Sequence, residues 1–406
     1  MRSVSLILSQ FQKEASNQEK KDKRNNNNNS NSNNKMVASS SSTIALLAII
    51  ALVVLTSSNV IDAAAPPIPD PDTVYYMPSE EEPHEGTWIQ WPHNFGWDPR
   101  HVARLQGSFV AMTKALHTGE RVHIVVYNPN QRRNVANLLR RNGVNLNRID
   151  FLVWRTDDVW ARDNGPIFAY DQNDNLVVQD WRFNGWGNKA DYFYDDAIPR
   201  KVASVVDLPL VRVPMVNEGG SVEVDGHGTL MAKRSSILNR NRNPGWTQAD
   251  VEAYFAKYLG VTNFIWLEGK KDLDITDDHI DATARFAKDG KAIVTYYEKD
   301  FVDAQEYRVL KNARNANGQP YEMVHLPLTS RVIPSIGDYG YYINYYVGNE
   351  VVLVPTFNDP NDGVAQETLG KVYPGRRMVG INFTELFKDG GLVHCVTQQE
   401  PLFVRR

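Results

Sequence analysis

Beyond about residue 72 the chain alternates short apolar runs with polar turns rich in aspartate and glycine. Five stretches share one layout: a polar turn, a strand, and in most cases a second turn and a second strand. The first is Arg162-Asp163-Asn164-Gly165 leading to 166–170 and then 175–183. The second is Glu218-Gly219-Gly220 leading to 221–224, Asp225-Gly226, and 229–232. The third is Asp277-Asp278-His279 leading to 281–286, Asp289-Gly290, and 292–297. The fourth is Asp338-Tyr339-Gly340 leading to 341–346, Gly348-Asn349, and 351–355. The fifth is Asp389-Gly390-Gly391 leading to 392–397. The turns fall near 165, 219, 279, 340 and 391, so the unit recurs after 54, 60, 61 and 51 residues. Asp-Gly and Gly-Asn between two strand patterns signal hairpins. The fifth unit shows no second strand, and an N-terminal strand at 87–91 is available to close a ring.

Helical patterns lie between the hairpins. Thr247 to Asp250 resembles a capping box, with Asp in place of Glu. Behind it Val251, Tyr254, Phe255, Tyr258 and Leu259 recur at helical spacing, and Gly260 ends the run. Residues 100–117 and 135–141 carry similar patterns. These apolar stripes are core faces, not sites. Together the elements predict an α/β repeat architecture, with hairpins around a centre and helices outside. In a ring of such units the polar turns would converge on one mouth.

The 406 residues are 42% hydrophobic and 23% charged, ordinary for a globular chain able to bury a large core without staples. Net charge is −4; the first 65 residues hold seven Lys/Arg and four Asp/Glu, so the remainder carries −7. A mildly acidic body has no nucleic-acid footprint and favours cationic small molecules. The single cysteine, Cys395, excludes an intrachain disulfide and a cysteine-based zinc site.

The N-terminus reads differently. Residues 1–35 are polar and low in complexity, with Asn25 to Asn29 and a basic cluster, and predict a disordered leader. Residues 36–65 combine a short apolar run, Ile44 to Leu55, with Ala63-Ala64-Ala65. Twelve apolar residues fall short of the about 20 that span a bilayer, so the pattern predicts a secretory signal peptide cleaved near Ala65. With the long leader ahead of it, translation would begin at Met36 rather than Met1, or the segment would be an uncleaved anchor. A cleaved, exported chain would have no stable membrane insertion, an unused leader would leave the chain organellar or cytoplasmic, and residues 66–406 would be the functional domain.

The opening turns supply the chemistry: Asp163, Glu218, His279 with Asp281, and Cys395. Aspartate and glycine are common in any turn, and it is the repeated position that singles these out. In an extended segment residues i and i+2 share a face, which predicts His279 and Asp281 facing one cavity and His394 pointing away from Cys395. Three carboxylates beside a thiol repel an oxyanion but suit a guanidinium, a planar cation with five N–H donors. The thiol must ionise to attack. The carboxylates oppose that, so the resting group is expected to be a thiol that ionises as the cation binds, with an ion pair to His279 as the other option. No second clustered histidine supports a metal set.

The segments Asp157-Asp158-Val159-Trp160-Ala161-Arg162-Asp163-Asn164-Gly165-Pro166, Glu218-Gly219-Gly220-Ser221, Asp277-Asp278-His279-Ile280-Asp281 and 390–399 resemble, in order, the signatures of agmatine deiminases. So do residues 88–92, 181–187 and 238–244. The resemblance covers about Asp72 to the C-terminus and extends to bacterial-type peptidylarginine deiminases.

It implies the pentein fold, a five-bladed pseudosymmetric α/β propeller in a single domain, in keeping with the repeat count. It implies Cys395 as nucleophile, His279 as general acid/base, Asp163 and Asp281 as guanidinium ligands, Glu218 as a carboxylate on the guanidinium or His279, and Trp160 packing on substrate. No cofactor or metal is implied, and a homodimer is the expected assembly. Asp278 departs from the family, which usually has glycine there, and is expected to perturb the turn or the neighbouring histidine. Agmatine hydrolysis is the leading expectation. The alternatives are a secreted peptidylarginine deiminase, with Arg182 available for a substrate backbone or carboxylate, an amidinotransferase, and an inactive propeller that binds arginine-like ligands.

Overall fold

In the computed structural model the chain runs β1 (His84–Gln90), α1 (Pro99–Leu116), β2 (Arg121–Val126), α2 (Pro129–Arg141), β3 (Ile149–Val153), β4 (Ile167–Tyr170), β5 (Leu176–Arg182), α3 (Ile198–Val206), β6 (Leu210–Val216), β7 (Val222–Val224), β8 (Thr229–Lys233), α4 (Gln248–Leu259), β9 (Asn263–Leu267), β10 (Ala284–Ala287), β11 (Ala292–Tyr296), α5 (Ala304–Asn312), β12 (Glu322–Leu326), β13 (Tyr346–Val347), β14 (Val351–Thr356), α6 (Asn361–Val372), β15 (Arg377–Asn382) and β16 (Gln398–Pro401). The structure describes residues 72–94 and 97–402. The leader and signal peptide expected over 1–35 and 36–65 lie outside the described residues.

The strands form five sheets, ordered β4-β5-β6, β7-β8-β9, β10-β11-β12, β13-β14-β15 and β16-β1-β2-β3. Within each, an antiparallel pair is followed by a helical crossover to a strand lying parallel to the second. The unit is therefore β-β-α-β. The sequence pattern shows its hairpin but not its third strand, because a short buried apolar run beside a helix has no diagnostic period. The missing second strand of the fifth unit is β1: its Thr87 pairs with Gln399 and its Trp88 with Gln398. Both ends of the described chain thus build one sheet, that of the fifth unit.

Local signals account for the helices. On α4, Thr247 accepts from Asp250 N and the Asp250 carboxylate accepts from Thr247 N, so the capping box is complete. Gly260 ends the helix at φ 71°. The inward stripe, Val251, Tyr254, Phe255, Tyr258 and Leu259, packs with Val213, Leu230 and Trp181. Each large side chain so buried contributes about 1.5–3 kcal/mol. α1 starts after Asp98, which caps Arg100 N and His101 N.

The opening turns differ from the strands expected there. Residues 219–221, 280–282 and 394–396 are 3-10 turns, and in the fourth unit only Tyr346–Val347 pairs as the first strand. The reason is local hydrogen bonding: Ser221 N donates to Glu218 O (3.0 Å), Thr283 N to Ile280 O (2.8 Å) and Thr397 N to His394 O (3.1 Å). Cys395 therefore sits on a tight turn, not on a strand. The short helical turn Ala161–Asn164 touches those of the second and fifth units, and the second touches the third.

Candidate active site

These opening turns gather Asp163, Glu218, His279, Asp281 and Cys395 into one buried cluster. Gly220 marks its centre. A methyl group built there would lie 2.7 Å from His279 Nδ1, 2.8 Å from Asp163 Oδ1 and 3.1 Å from Asp281 Oδ2. Only glycine leaves this space free, and its own N–H donates to Asp163 Oδ1 (3.2 Å). Trp160 borders the site through Gly391, where an added methyl would meet the indole at 2.4 Å and Cys395 Cβ at 3.2 Å.

His279 is oriented by carboxylates on both nitrogens. Nε2 lies 3.1 Å from Glu218 Oε2, and Nδ1 lies 3.7 Å from Asp163 Oδ1. Glu218 is in turn held by Arg242 Nε at 2.6 Å, and Arg242 Nη1 reaches Asp277 at 2.9 Å. Burial disfavours the imidazolium, yet Asp163 and Glu218 outweigh it and hold His279 up at about 9. Burial works against Glu218 too, but Arg242 and His279 keep its carboxyl below the ordinary range.

The two aspartates differ. Burial, with Asp281 and Glu218 adding to it, raises Asp163 to about 6. Its Oδ2 accepts from Trp186 Nε1 at 2.9 Å. Trp186 has φ 54°, an outlier for a bulky residue, and its neighbours Gly185 and Gly187 share the left-handed region. Strained backbone aimed at a site carboxylate is a mark of a functional position. Asp281 is also buried, but the His394 ring, at 2.7 Å from Oδ2, keeps it below the ordinary range. Cys395 Sγ lies 3.5 Å from Asn344 Oδ1 and 3.9 Å from Asp281 Oδ2. Burial pushes its thiol well up, and Asp281 and Asp163 push the same way.

One expectation is overturned. His394 does not turn away: the 3-10 turn replaces the two-residue alternation of a strand, and the ring faces the same carboxylate as its neighbour's thiol. Asp278 bears on the turn, the first of its two expected effects, and its carboxylate has partners other than His279. Its φ of 74° is left-handed, which explains the usual glycine. Its carboxylate goes to buried Lys233 Nζ and to Lys270 N.

Sequence reasoning did not find Asn344, Glu80, Arg242 or the contact from Trp186 to Asp163. Asn344 carried a signal as the one amide in the Tyr341–Tyr346 run of the fourth unit, and Trp186 and Arg242 lie in the family-like segments 181–187 and 238–244, but no role was read for them; Glu80 carried none. Among the described residues no group of three or more His, Cys, Asp or Glu is placed to hold a metal ion.

A family model described as the Porphyromonas-type peptidyl-arginine deiminase matches residues 76–401. The chain belongs to this family. It is 33% identical over 363 residues to the agmatine deiminase of Stutzerimonas stutzeri (strain A1501), covering 82% of this chain and 97% of that one. The solved agmatine deiminase of Enterococcus faecalis superposes with a TM-score of 0.72 at 27% identity, over 80% of this chain and 96% of that one. An agmatine deiminase of C. jejuni solved with substrate bound shares the fold, with TM-score 0.73 at 23% identity, over 84% of this chain and all of the other. The five β-β-α-β units are those of the pentein fold. The deiminase family makes the chain a hydrolase of amidine C–N bonds.

An imidazolium, a thiol and two carboxylates around one small space suit a planar cation. Each charge-assisted hydrogen bond to it is worth about 1.5–3 kcal/mol.

Proposed function

We propose that this protein is an agmatine deiminase, hydrolysing agmatine to N-carbamoylputrescine and ammonia, a route towards putrescine and the polyamines. The observation that carries the reading is the convergence on Gly220 of His279, Asp163 and Asp281 beside Cys395. Asp163 and Asp281 hold the guanidinium nitrogens. The arriving cation offsets the carboxylate charge that keeps the thiol protonated, so Cys395 ionises on binding and its proton passes to solvent. Its thiolate adds to the guanidinium carbon, forming a C–S bond and a tetrahedral centre. His279 then gives the Nδ1 proton to a departing nitrogen, the C–N bond breaks, and ammonia leaves behind an amidino-cysteine. Water loses a proton to neutral His279, adds to the same carbon, and expels the thiolate, which takes up the hydroxyl proton as the urea forms and so returns to the resting thiol. Glu218, on Nε2–H, fixes the ring and its charge. Trp160 packs on the substrate.

The family description favours a second reading, protein-arginine deimination, and the export signal expected near Ala65 suits it. Ammonia release from agmatine, free arginine and an arginine peptide, with Cys395→Ser as control, separates the two. Release from agmatine that needs Cys395 supports the first reading. Release from the peptide alone replaces it with the second, and no Cys395-dependent release from any substrate removes both. Cleavage near Ala65, checked by N-terminal sequencing of the mature chain, and a homodimer, checked by mass in solution, complete the proposal.

A further inference from the structure

His394 immediately precedes the thiol, and its ring is enclosed, with 1% of the residue exposed. Nδ1 lies 2.7 Å from Asp281 Oδ2 and Nε2 lies 2.8 Å from Glu80 Oε2. A carboxylate oxygen only accepts, so both ring nitrogens donate and the ring is a cation between two anions. Glu80 comes from the segment ahead of β1 and is itself held. Arg162 Nη2 and Arg285 Nη2 each reach it at 3.0 Å, and Val347 N donates to its Oε1 at 2.9 Å. Arg285 also pairs with Glu223. Four of the five units therefore meet at this one carboxylate, and Glu223 joins the second unit to it through Arg285.

The consequence falls on Asp281. Its Oδ2 takes His394 Nδ1 and, at 3.2 Å, Asn344 Nδ2, with Cys395 Sγ beyond. Its Oδ1 accepts no hydrogen bond among the described residues. The charged groups facing Asp281 are His279 and Asp163 across the pocket, Arg285 on β10, and His394 behind it. Those facing His394 are Asp281, Glu80 and Glu223, with the Arg162 guanidinium beside it on Glu80 Oε2. Burial alone would favour the neutral acid. Asp163 shows this, since its cationic neighbour, His279, stands 3.7 Å off and is shared with Glu218.

We infer that Glu80 and His394 form a positioning relay that keeps Asp281 charged and leaves its Oδ1 free for the substrate's guanidinium. This rests on the guanidine-hydrolase reading above. Neither residue touches the substrate; both act through Asp281. Because His394 adjoins Cys395, the relay also ties the carboxylate to the backbone that carries the thiol: His394 N donates to Asn344 Oδ1 at 3.1 Å and Arg162 Nε donates to His394 O at 3.4 Å.

The test needs binding, not turnover. In the full chain carrying Cys395→Ser, agmatine binding is measured by calorimetry between about pH 5 and pH 9, spanning the ordinary carboxylate and imidazole ranges. The measurement is repeated with His394→Gln, with Glu80→Gln and with both, and melting curves check folding. Asp163 sets the acid limb of the parent near 6; without the His394 charge the buried Asp281 titrates in the same range, so in His394→Gln the acid-side loss of affinity is expected to steepen towards two protons and its midpoint to move to higher pH. Glu80→Gln moves it less, and the double variant behaves like His394→Gln, since Glu80 acts through that ring. Profiles of folded variants that overlay the parent overturn the relay, and if His394→Gln does not fold, the Glu80→Gln profile decides. A parent that binds agmatine without the cysteine-bearing protein releasing ammonia from it defeats the hydrolysis reading while the relay is still tested. A parent that binds no agmatine at any pH overturns both.

Discussion

Two buried chains of alternating charge end in the same pocket, and they end differently. One runs inward from Asp277 through Arg242 and Glu218 to His279. The other runs from Arg162 and Arg285 through Glu80 and His394 to Asp281, beside Cys395. The first presents a cationic acid to the pocket and the second an anion. Both contain a histidine. The His279 ring opens Nδ1 to the pocket and can exchange a proton there, whereas both His394 nitrogens are committed to carboxylates. The parity of charges along each chain thus separates a proton-transferring histidine from a positioning one, although the residue type is the same.

The comparison breaks at the thiol first. Cys395→Ser is expected to lower ammonia release by about a thousandfold or more, since removing a nucleophile removes the covalent route; steady-state assays on agmatine check this. Gly220→Ala comes next. Its methyl would occupy the point where both chains meet, and kcat/KM should fall by about a hundredfold, the scale of a 1 Å misplacement, with about 1–3 kcal/mol of stability lost to overpacking. Asp163→Asn and Asp281→Asn each remove one charged hydrogen-bond partner, worth about 1.5–3 kcal/mol, or about 10–150-fold in binding. Calorimetry in the Cys395→Ser background would compare them.

The pH profile sharpens the comparison. Free-enzyme kcat/KM should be bell-shaped, rising through about 6 as Asp163 ionises and falling through about 9 as His279 loses its proton. Glu218 raises His279, so Glu218→Gln should bring the alkaline limb down by about 1–3 units while the acid limb moves less. The same linkage acts on stability. A histidine raised from 6.5 to about 9 contributes stability fully below 6.5, and that contribution is lost as pH rises through 9. The smallest effect on catalysis is expected at Asp278. Its carboxylate serves Lys233, so Asp278→Gly should leave kcat nearly unchanged. It relieves about 1–2 kcal/mol of left-handed backbone cost but takes from buried Lys233 its nearer carboxylate and leaves it Glu306 at 3.8 Å, for a net loss below about 3 kcal/mol in chemical denaturation.

Much of the fold was legible in local chemistry. The capping box at Thr247, the stop at Gly260 and the hairpin dipeptides state their structure within a few residues, because the bonds involved close over that range. The repeat spacing predicted five units. It did not supply their third strands, whose short apolar runs read equally as strand or buried helix. Nor did it pair β1 with β16, a contact between opposite ends of the sequence.

The site divides along the same line. The residue types, their order and the preference for a planar cation were set by the sequence alone, since a thiol, an imidazole and three carboxylates recur at one position of the repeat. Only the tertiary structure decided which histidine does what. A 3-10 turn in place of a strand rotates His394 towards Asp281, and the burial of Glu80 beneath both makes its ring a fixed cation. The charge on each group depends on neighbours contributed by other units, and no local pattern encodes a field made by residues hundreds of positions apart.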